Sequence, residues 1–325
     1  MQFSADAHFI VRITAADVGK RVSVRTLTGS GEPGARFTDT VGVLTSWTGG
    51  VLTVTRRDGR IVHLAESALV AGKVVPPRTA RPRGLPATTV AELTTVAVRS
   101  WPAPDAERLG DWLARAGEGW TRRANSAVPL GDSPPDLDRL VQWYAARGLR
   151  ANLQLPTGRE MLTAELDRRG WTAAAHTSVQ VAALAPLADR APDERVLVSR
   201  ELTEEWLRGW PRAAEAPATA RRILGGGPLV LFALIPGDDG RPAAVGRCVV
   251  DGRWAGFAAM RVDPAHRRRG LATTVLAELA RAALAEGASA AYLQVETDNP
   301  GARALYARLG FADHHHYHYR TAPEG

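Results

Sequence analysis

Trp254-Ala255-Gly256-Phe257-Ala258-Ala259-Met260-Arg261-Val262-Asp263-Pro264-Ala265-His266-Arg267-Arg268-Arg269-Gly270-Leu271-Ala272 is the stretch on which the fold of this chain turns. Its first nine residues read as a strand, and Asp263-Pro264 stops it, because proline cannot extend a ladder. Beyond the basic loop, Leu276, Leu279, Ala280, Ala283 and Leu284 fall at i, i+3, i+4, i+7 and i+8, which gives a helix one apolar face. The order is strand, arginine-and-glycine loop, helix N-terminus. Such a turn points unpaired backbone N–H groups and the positive end of the helix dipole at one spot, the arrangement a pyrophosphate needs. Arg267, Arg268 and Arg269 add guanidinium charge at its rim.

Outward from this loop the chain repeats itself. Ala151–Leu155 matches Ala291–Val295, and Arg169-Gly170-Trp171 matches Leu309-Gly310-Phe311, both at an offset of 140 residues, 151 to 291 and 170 to 310. Each copy reads as a strand, a helix closed by a glycine and an aromatic, and another strand. This implies two related α/β halves, over 90–187 and 194–320. The counterpart of the basic loop, Trp120–Asp136, has Asp132, Asp136 and two prolines where backbone amides would meet phosphate. The first half is therefore expected to bind no such group, and to wall a pocket instead, with Arg122, Arg123 and Asn125 as its polar contacts.

The segment Arg267-x-x-Gly270-x-Ala272 resembles the acyl-CoA pyrophosphate loop of the GNAT superfamily of N-acyltransferases. Asn299-Pro300-Gly301-Ala302-Arg303-Ala304-Leu305-Tyr306-Ala307-Arg308-Leu309-Gly310-Phe311 looks like that superfamily's second signature. The resemblance covers 242–319 strongly, 194–241 fairly, and 90–187 at the level of fold. It implies an α+β GNAT fold with a mixed sheet, a degenerate copy followed by an intact one, and acetyl-CoA as cosubstrate. It further implies that Met260, Arg261 and Val262 pair with the pantetheine arm, and that the N–H groups from Arg268 through Gly270, Leu271, Ala272 and Thr273 hold the pyrophosphate. Asn299 bonds the pantetheine or orders the strand end, capping its helix before Pro300 as well. Tyr306 stands near the thioester sulfur as proton donor. Direct transfer to an amine also needs a base, and Glu296, at the end of its strand, is the candidate. Glu201, Glu204 and Glu205 lie in the substrate-side helix region, where Trp206 and Trp210 are candidates for a substrate wall or for core.

Short β-rich runs between Phe9 and Val75, with a hairpin around Asp58-Gly59, suggest an SH3-like barrel over 1–75. A Pro/Arg linker over 76–89 follows. The whole arrangement looks like actinobacterial tandem GNAT proteins with an SH3-like N-terminal module.

Composition agrees with a folded protein of about two domains: of 325 residues, 45% are hydrophobic and 23% charged. The net charge is +7, almost all of it arginine since only Lys20 and Lys73 are lysines, but acidic residues are interspersed, so nucleic acid is not the expected partner. The only cysteine is Cys248, which rules out an intrachain disulfide and a cysteine zinc site. No run reaches the length of a membrane span and the first residues do not read as a signal peptide, so the expected location is the cytoplasm, without membrane attachment.

Three other signals are discounted. Gly29–Gly34 matches a dinucleotide fingerprint but precedes a strand rather than a helix. Cys248 sits in an apolar strand as a small core residue. In His314-His315-His316-Tyr317-His318, alternation sends His314, His316 and His318 to one face, but no acidic partner is evident and no metal is expected.

The expected activity is acetyl-CoA-dependent N-acetylation of a primary amine by direct attack in a ternary complex. The acceptor stays open among small amine, antibiotic, peptide N-terminus and lysine side chain. The competing reading is a non-catalytic acyl-CoA-binding sensor or scaffold whose barrel recruits a protein or nucleic acid.

Overall fold

The computed structural model describes residues 11, 13–28, 36–56, 60–74, 84–237 and 240–324. The start of the chain, the Gly29–Gly34 stretch, the Asp58-Gly59 turn and most of the Pro/Arg linker lie outside these residues. Two compact units meet in sequence at Arg81 and Pro82.

The N-terminal unit is an antiparallel sheet of five strands: β1 (Arg21–Thr28), β2 (Arg36–Thr48), β3 (Val51–Thr55), β4 (Ile61–Ala65) and β5 (Leu69–Val74). Their order is β4-β3-β2-β1-β5. Ile13, Val22, Val24, Leu44, Leu52 and Val54 form its core. Where the sequence suggests an SH3-like barrel, the described residues form this one sheet, with β4 and β5 as its outer strands and no pairing between them.

The second unit opens with α1 (Val90–Ser100), followed by β6 (Asp105–Leu109), β7 (Trp112–Ala116), β8 (Val128–Pro129), α2 (Leu137–Ala145), β9 (Asn152–Pro156), α3 (Glu160–Arg168) and β10 (Thr172–Ala183). It continues with β11 (Leu197–Ser199), α4 (Glu204–Arg208), α5 (Pro217–Gly225), β12 (Leu229–Ile235), β13 (Ala244–Asp251), β14 (Trp254–Val262), α6 (Leu271–Ala285), β15 (Ala290–Glu296), α7 (Pro300–Arg308) and β16 (Ala312–Thr321). The units β9-α3-β10 and β15-α7-β16 reproduce the 140-residue offset, and both helices end on a glycine in the left-handed region, Gly170 (φ +73°) and Gly310 (φ +90°).

Strands from 90–187 and 194–320 share one eight-stranded mixed sheet in the order β11-β12-β13-β14-β15-β10-β16-β9. Strand β10 is inserted between β15 and β16, antiparallel to both, and β9 closes the edge on β16. The smaller sheet β6-β7-β8 is joined to β9 through a parallel bridge between Ala127 and Leu153. One face of the large sheet packs on α6, with Val275, Leu276, Leu279, Ala280 and Ala283 meeting Leu231, Cys248, Phe257, Leu293 and Phe311. The opposite face carries a tryptophan-rich cluster that includes Trp101, Trp120 and Trp206, and a second around Trp254, Tyr292, Tyr317 and Tyr319. No helix among the described residues is long and apolar enough to cross a membrane.

Candidate active site

Strands β14 and β15 pair in parallel for four residues only, from Trp254 opposite Ala290 to Phe257 opposite Leu293. Past that point they diverge, for a local reason. Ala259 lies in the left-handed region (φ +52°), and the register between β13 and β14 slips between Val245 and Arg247. Such a bulge bends the strand that carries it. β15 instead stays paired to β10 as far as Glu296. The result is a fork whose β14 arm, Ala258 to Val262, presents main-chain groups without a partner strand on that side. Met260, Arg261 and Val262 are half-buried on this arm, and Arg261 Nη1 donates to Gly209 O at 3.1 Å.

The arm leads into the basic loop. Asp263 accepts from Ala265 N at 2.9 Å and starts a single 3-10 turn. Arg268 (φ +61°) and Gly270 (φ +77°) then reverse the chain so that α6 begins at Leu271, which is buried and anchors the turn. No side chain caps α6. The first-turn N–H groups of Leu271, Ala272 and Thr273 are therefore without an intrahelical partner. Arg267, Arg268 and Arg269 are exposed around them, and none forms an ion pair among the described residues. The corresponding helix of the first segment differs: Asp136 caps α2, accepting from Arg139 N at 3.0 Å. A carboxylate already fills the place that α6 leaves open.

Asn299 caps α7, its Oδ1 accepting from Ala302 N at 3.0 Å, with Pro300 at the first helical position. Tyr306, two turns further along α7, packs edge-on to Phe311 at 5.8 Å between centroids, on the α6 face of the sheet. Burial pushes its phenol up to about 12. Glu296 is exposed at the tip of β15, and Arg122 approaches it from the first segment, Nη1 to Oε1 at 4.0 Å. The Arg122 guanidinium also lies 5.5 Å from the Tyr319 ring centroid.

Two sequence nominations take structural positions instead. Trp206 is 1% exposed, and its Nε1 donates to Ala233 O and Gly246 O, each at 3.1 Å, on adjoining strands. It is a pin through the sheet core, not a wall open to a ligand. Asn125 staples its own loop, accepting from Gly117 N at 2.8 Å and Gly119 N at 3.0 Å while donating to Thr121 O at 2.8 Å. Trp210 is half-buried against the same core as Trp206. Glu204 and Glu205 lie in the first turn of α4. Cys248 is buried, which pushes its thiol up to about 12 and leaves it inert. The expected alternation of the histidines is broken at His314, where the register with β10 slips and the His314 and His315 rings meet, Nδ1 to Nδ1 at 2.8 Å. His315 is buried, and no cluster of three metal-ligating side chains occurs among the described residues.

Two side chains at the fork carried no clear signal. Arg247 on β13 is fully buried, donating to Leu224 O and Gly226 O at 2.6 Å and to Ser100 O at 2.9 Å. Gln294 on β15 accepts from Tyr317 Oη at 2.8 Å. A single arginine inside the apolar run Gly246–Val250 was the one hint available.

A parallel pair forked by a bulge, opening beside an uncapped, arginine-ringed helix N-terminus, defines a GNAT-type N-acetyltransferase. Residues 87–320 match the family described as "Probable histone acetyltransferase Rv0428c C-terminal", and the chain belongs to that family. It is 30% identical over 313 residues to "Probable histone acetyltransferase Rv0428c" of Mycobacterium tuberculosis (strain ATCC 25618 / H37Rv), covering 94% of this chain and 95% of that protein. It is 25% identical over 245 residues to "Uncharacterized N-acetyltransferase YobR" of Bacillus subtilis (strain 168), covering 71% of this chain and 98% of that one. A GCN5-related N-acetyltransferase structure from Kribbella flavida shares the fold, with a TM-score of 0.53 and 17% identity over 74% of this chain and 98% of its own. The protein is an N-acetyltransferase, and GNAT acetyltransferases use acetyl-CoA as acyl donor.

Proposed function

We propose that this chain binds acetyl-CoA in the β14–β15 fork and transfers its acetyl group to a primary amine by direct attack in a ternary complex. The observation that carries the reading is the open N-terminus of α6, ringed by Arg267, Arg268 and Arg269, at the mouth of the fork. Unpaired N–H groups, the helix dipole and three unpartnered guanidiniums suit a pyrophosphate. The β14 arm from Met260 to Val262 would pair with an extended pantetheine. Acetyl-CoA supplies an activated thioester; the rest is done by the chain. A β14 main-chain N–H polarises the carbonyl. Glu296 takes the proton of the attacking amine, directly or through water. Tyr306 keeps its proton at every working pH and presents it at the α6 face of the fork. Arg122, paired to Glu296, draws the loop of the first segment over the acceptor side.

The five-strand order of the N-terminal unit supports an SH3-like module serving as an accessory to this enzyme. The test of the function is release of free CoA from acetyl-CoA as amine acceptors are added. Acceptor-dependent release supports the transferase, and tight acetyl-CoA binding with no release for any amine in a broad panel would favour a sensor.

A further inference from the structure

On the side of the sheet away from α6, the fork closes over a cavity of about 20 Å³ lined by Ser100, Trp101, Arg123, Arg247, Ala258 and Gln294. That is room for one water-sized group. Its polar lining is unbalanced in sign. The guanidiniums of Arg123 and Arg247 lie 5.3 Å and 5.2 Å from the Trp101 ring centroid. Behind them Arg115, 2% exposed, donates to Ser126 and Gln154. No carboxylate of the described residues pairs with any of the three, and Glu296, exposed at the end of β15, pairs with Arg122 instead.

The neighbouring phenols cannot serve as counter-ions. Burial pushes Tyr292 up to about 12 and raises Tyr319 well above the ordinary phenol value, so both stay neutral. Arg247, pushed down only to about 10, stays charged. Two polar atoms here are buried without a hydrogen-bond partner, Ser100 Oγ and Arg123 Nε. Ser100 itself is 5% exposed. Arg247 donates to three carbonyls and Tyr292 lies beside Ser100, so the uncompensated group is Arg123. It is a buried positive charge with an idle donor at an opening, which is costly unless an anion completes it.

We propose that this cavity is a carboxylate subsite: one of the two substrates that meet at the fork carries a carboxylate, an oxygen of which seats between Arg123, Ser100 and Arg247. The proposal rests on the acyltransferase reading above. The carboxylate belongs either to the acceptor, an amino acid in place of a simple amine, or to the acyl group, a dicarboxylic acyl-CoA. In either case a lysine side chain acetylated with no acid group beside it is a poor fit.

Two arms separate the sources. In the first, acetyl-CoA and succinyl-CoA are titrated calorimetrically into wild type and Arg123→Gln. An acyl-borne carboxylate gives succinyl-CoA an advantage of about tenfold or more, lost in the variant. In the second, free amino acids and their α-amides are compared, with acetyl-CoA present, for CoA release and for the rise in thermal midpoint they cause. An acceptor-borne carboxylate gives acids an advantage of about tenfold or more over amides, again lost in Arg123→Gln. Ser100→Ala carries the same prediction at about threefold if Arg123→Gln does not fold. Normal acetyl-CoA binding with no preference in either arm, or a preference that survives both substitutions, overturns the proposal while leaving the acyltransferase reading intact. Absence of acetyl-CoA binding overturns both.

Discussion

Tyr306→Phe separates the role assigned to its phenol from a role in packing. The ring sits 5.8 Å from Phe311 and lies against the α6 core, and phenylalanine keeps both contacts. The hydroxyl has no hydrogen-bond partner among the described residues, so its removal should change stability by no more than about 0.5 kcal/mol. Burial holds the phenol at about 12, against about 8.5 for a cysteine-like thiol. Giving the proton fully to a thiolate at that reference value is uphill by about 5 kcal/mol. The phenol therefore works first as a hydrogen-bond donor to developing negative charge, and full transfer requires that the sulfur be desolvated too. A hydrogen bond to a charged group is worth about 1.5–3 kcal/mol, so kcat should fall by about 10- to 150-fold, with general-acid behaviour extending the loss toward about 10⁴-fold. The assay is steady-state CoA release with the best available acceptor, beside a melting curve. KM for acetyl-CoA and the melting midpoint should hold, and wild type should show no basic limb from this phenol below about pH 11. A kcat within about threefold of wild type, in a variant that melts normally, would refute the assignment.

Gly246→Ala should cost about 1–3 kcal/mol by overpacking, because a Cβ there would lie 2.6 Å from Met260 Sδ, 2.7 Å from Val275 Cγ1 and 3.1 Å from Leu279 Cδ1. Calorimetric melting should register this as a midpoint lower by about 3–10 °C; an unchanged midpoint would mean α6 is not seated on β13 in this way. His315, 8% exposed on β16 beside His314 and His316, is held down to about 4 by burial, from 6.5. The unfolded chain then binds the extra proton between these values, so its share of stability is intact above pH 6.5 and is lost as pH falls toward 4, in all about 3 kcal/mol. Urea melts across that window should slope less for His315→Gln than for wild type, and parallel slopes would refute it.

Much of the site was legible because its signals are local. Asp263-Pro264 ends β14 by removing a ladder donor, and the spacing of Leu276, Leu279, Ala280 and Ala283 puts four of the residues that α6 buries on one stripe. The two glycines 140 residues apart mark left-handed helix ends that few other residues tolerate. What stayed hidden depends on which distant segments meet. Main-chain pairing is nearly indifferent to side chains, so nothing in Thr172–Ala183 announces that it lies between β15 and β16. Sheet closure hides for the same reason, and β4 and β5 look as able to pair as any neighbours. Trp206 reads equally well as wall or core until Ala233 O and Gly246 O are seen converging on its indole. Arg247 becomes intelligible only when carbonyls from Ser100, Leu224 and Gly226, far apart in sequence, gather around it.

The claim that the fork and the α6 N-terminus form an acyl-CoA site is tested most directly by titrating acetyl-CoA calorimetrically into wild type and Gly270→Glu. Gly270 sits at φ +77° with open space where a Cβ would go, so the substitution meets no clash. It imposes left-handed strain of about 1–2 kcal/mol and brings a carboxylate to the phosphate site. The account predicts one-to-one binding by wild type and a Kd at least about thirtyfold weaker in the variant. Equal affinities in two folded proteins, or no binding by wild type, would contradict it.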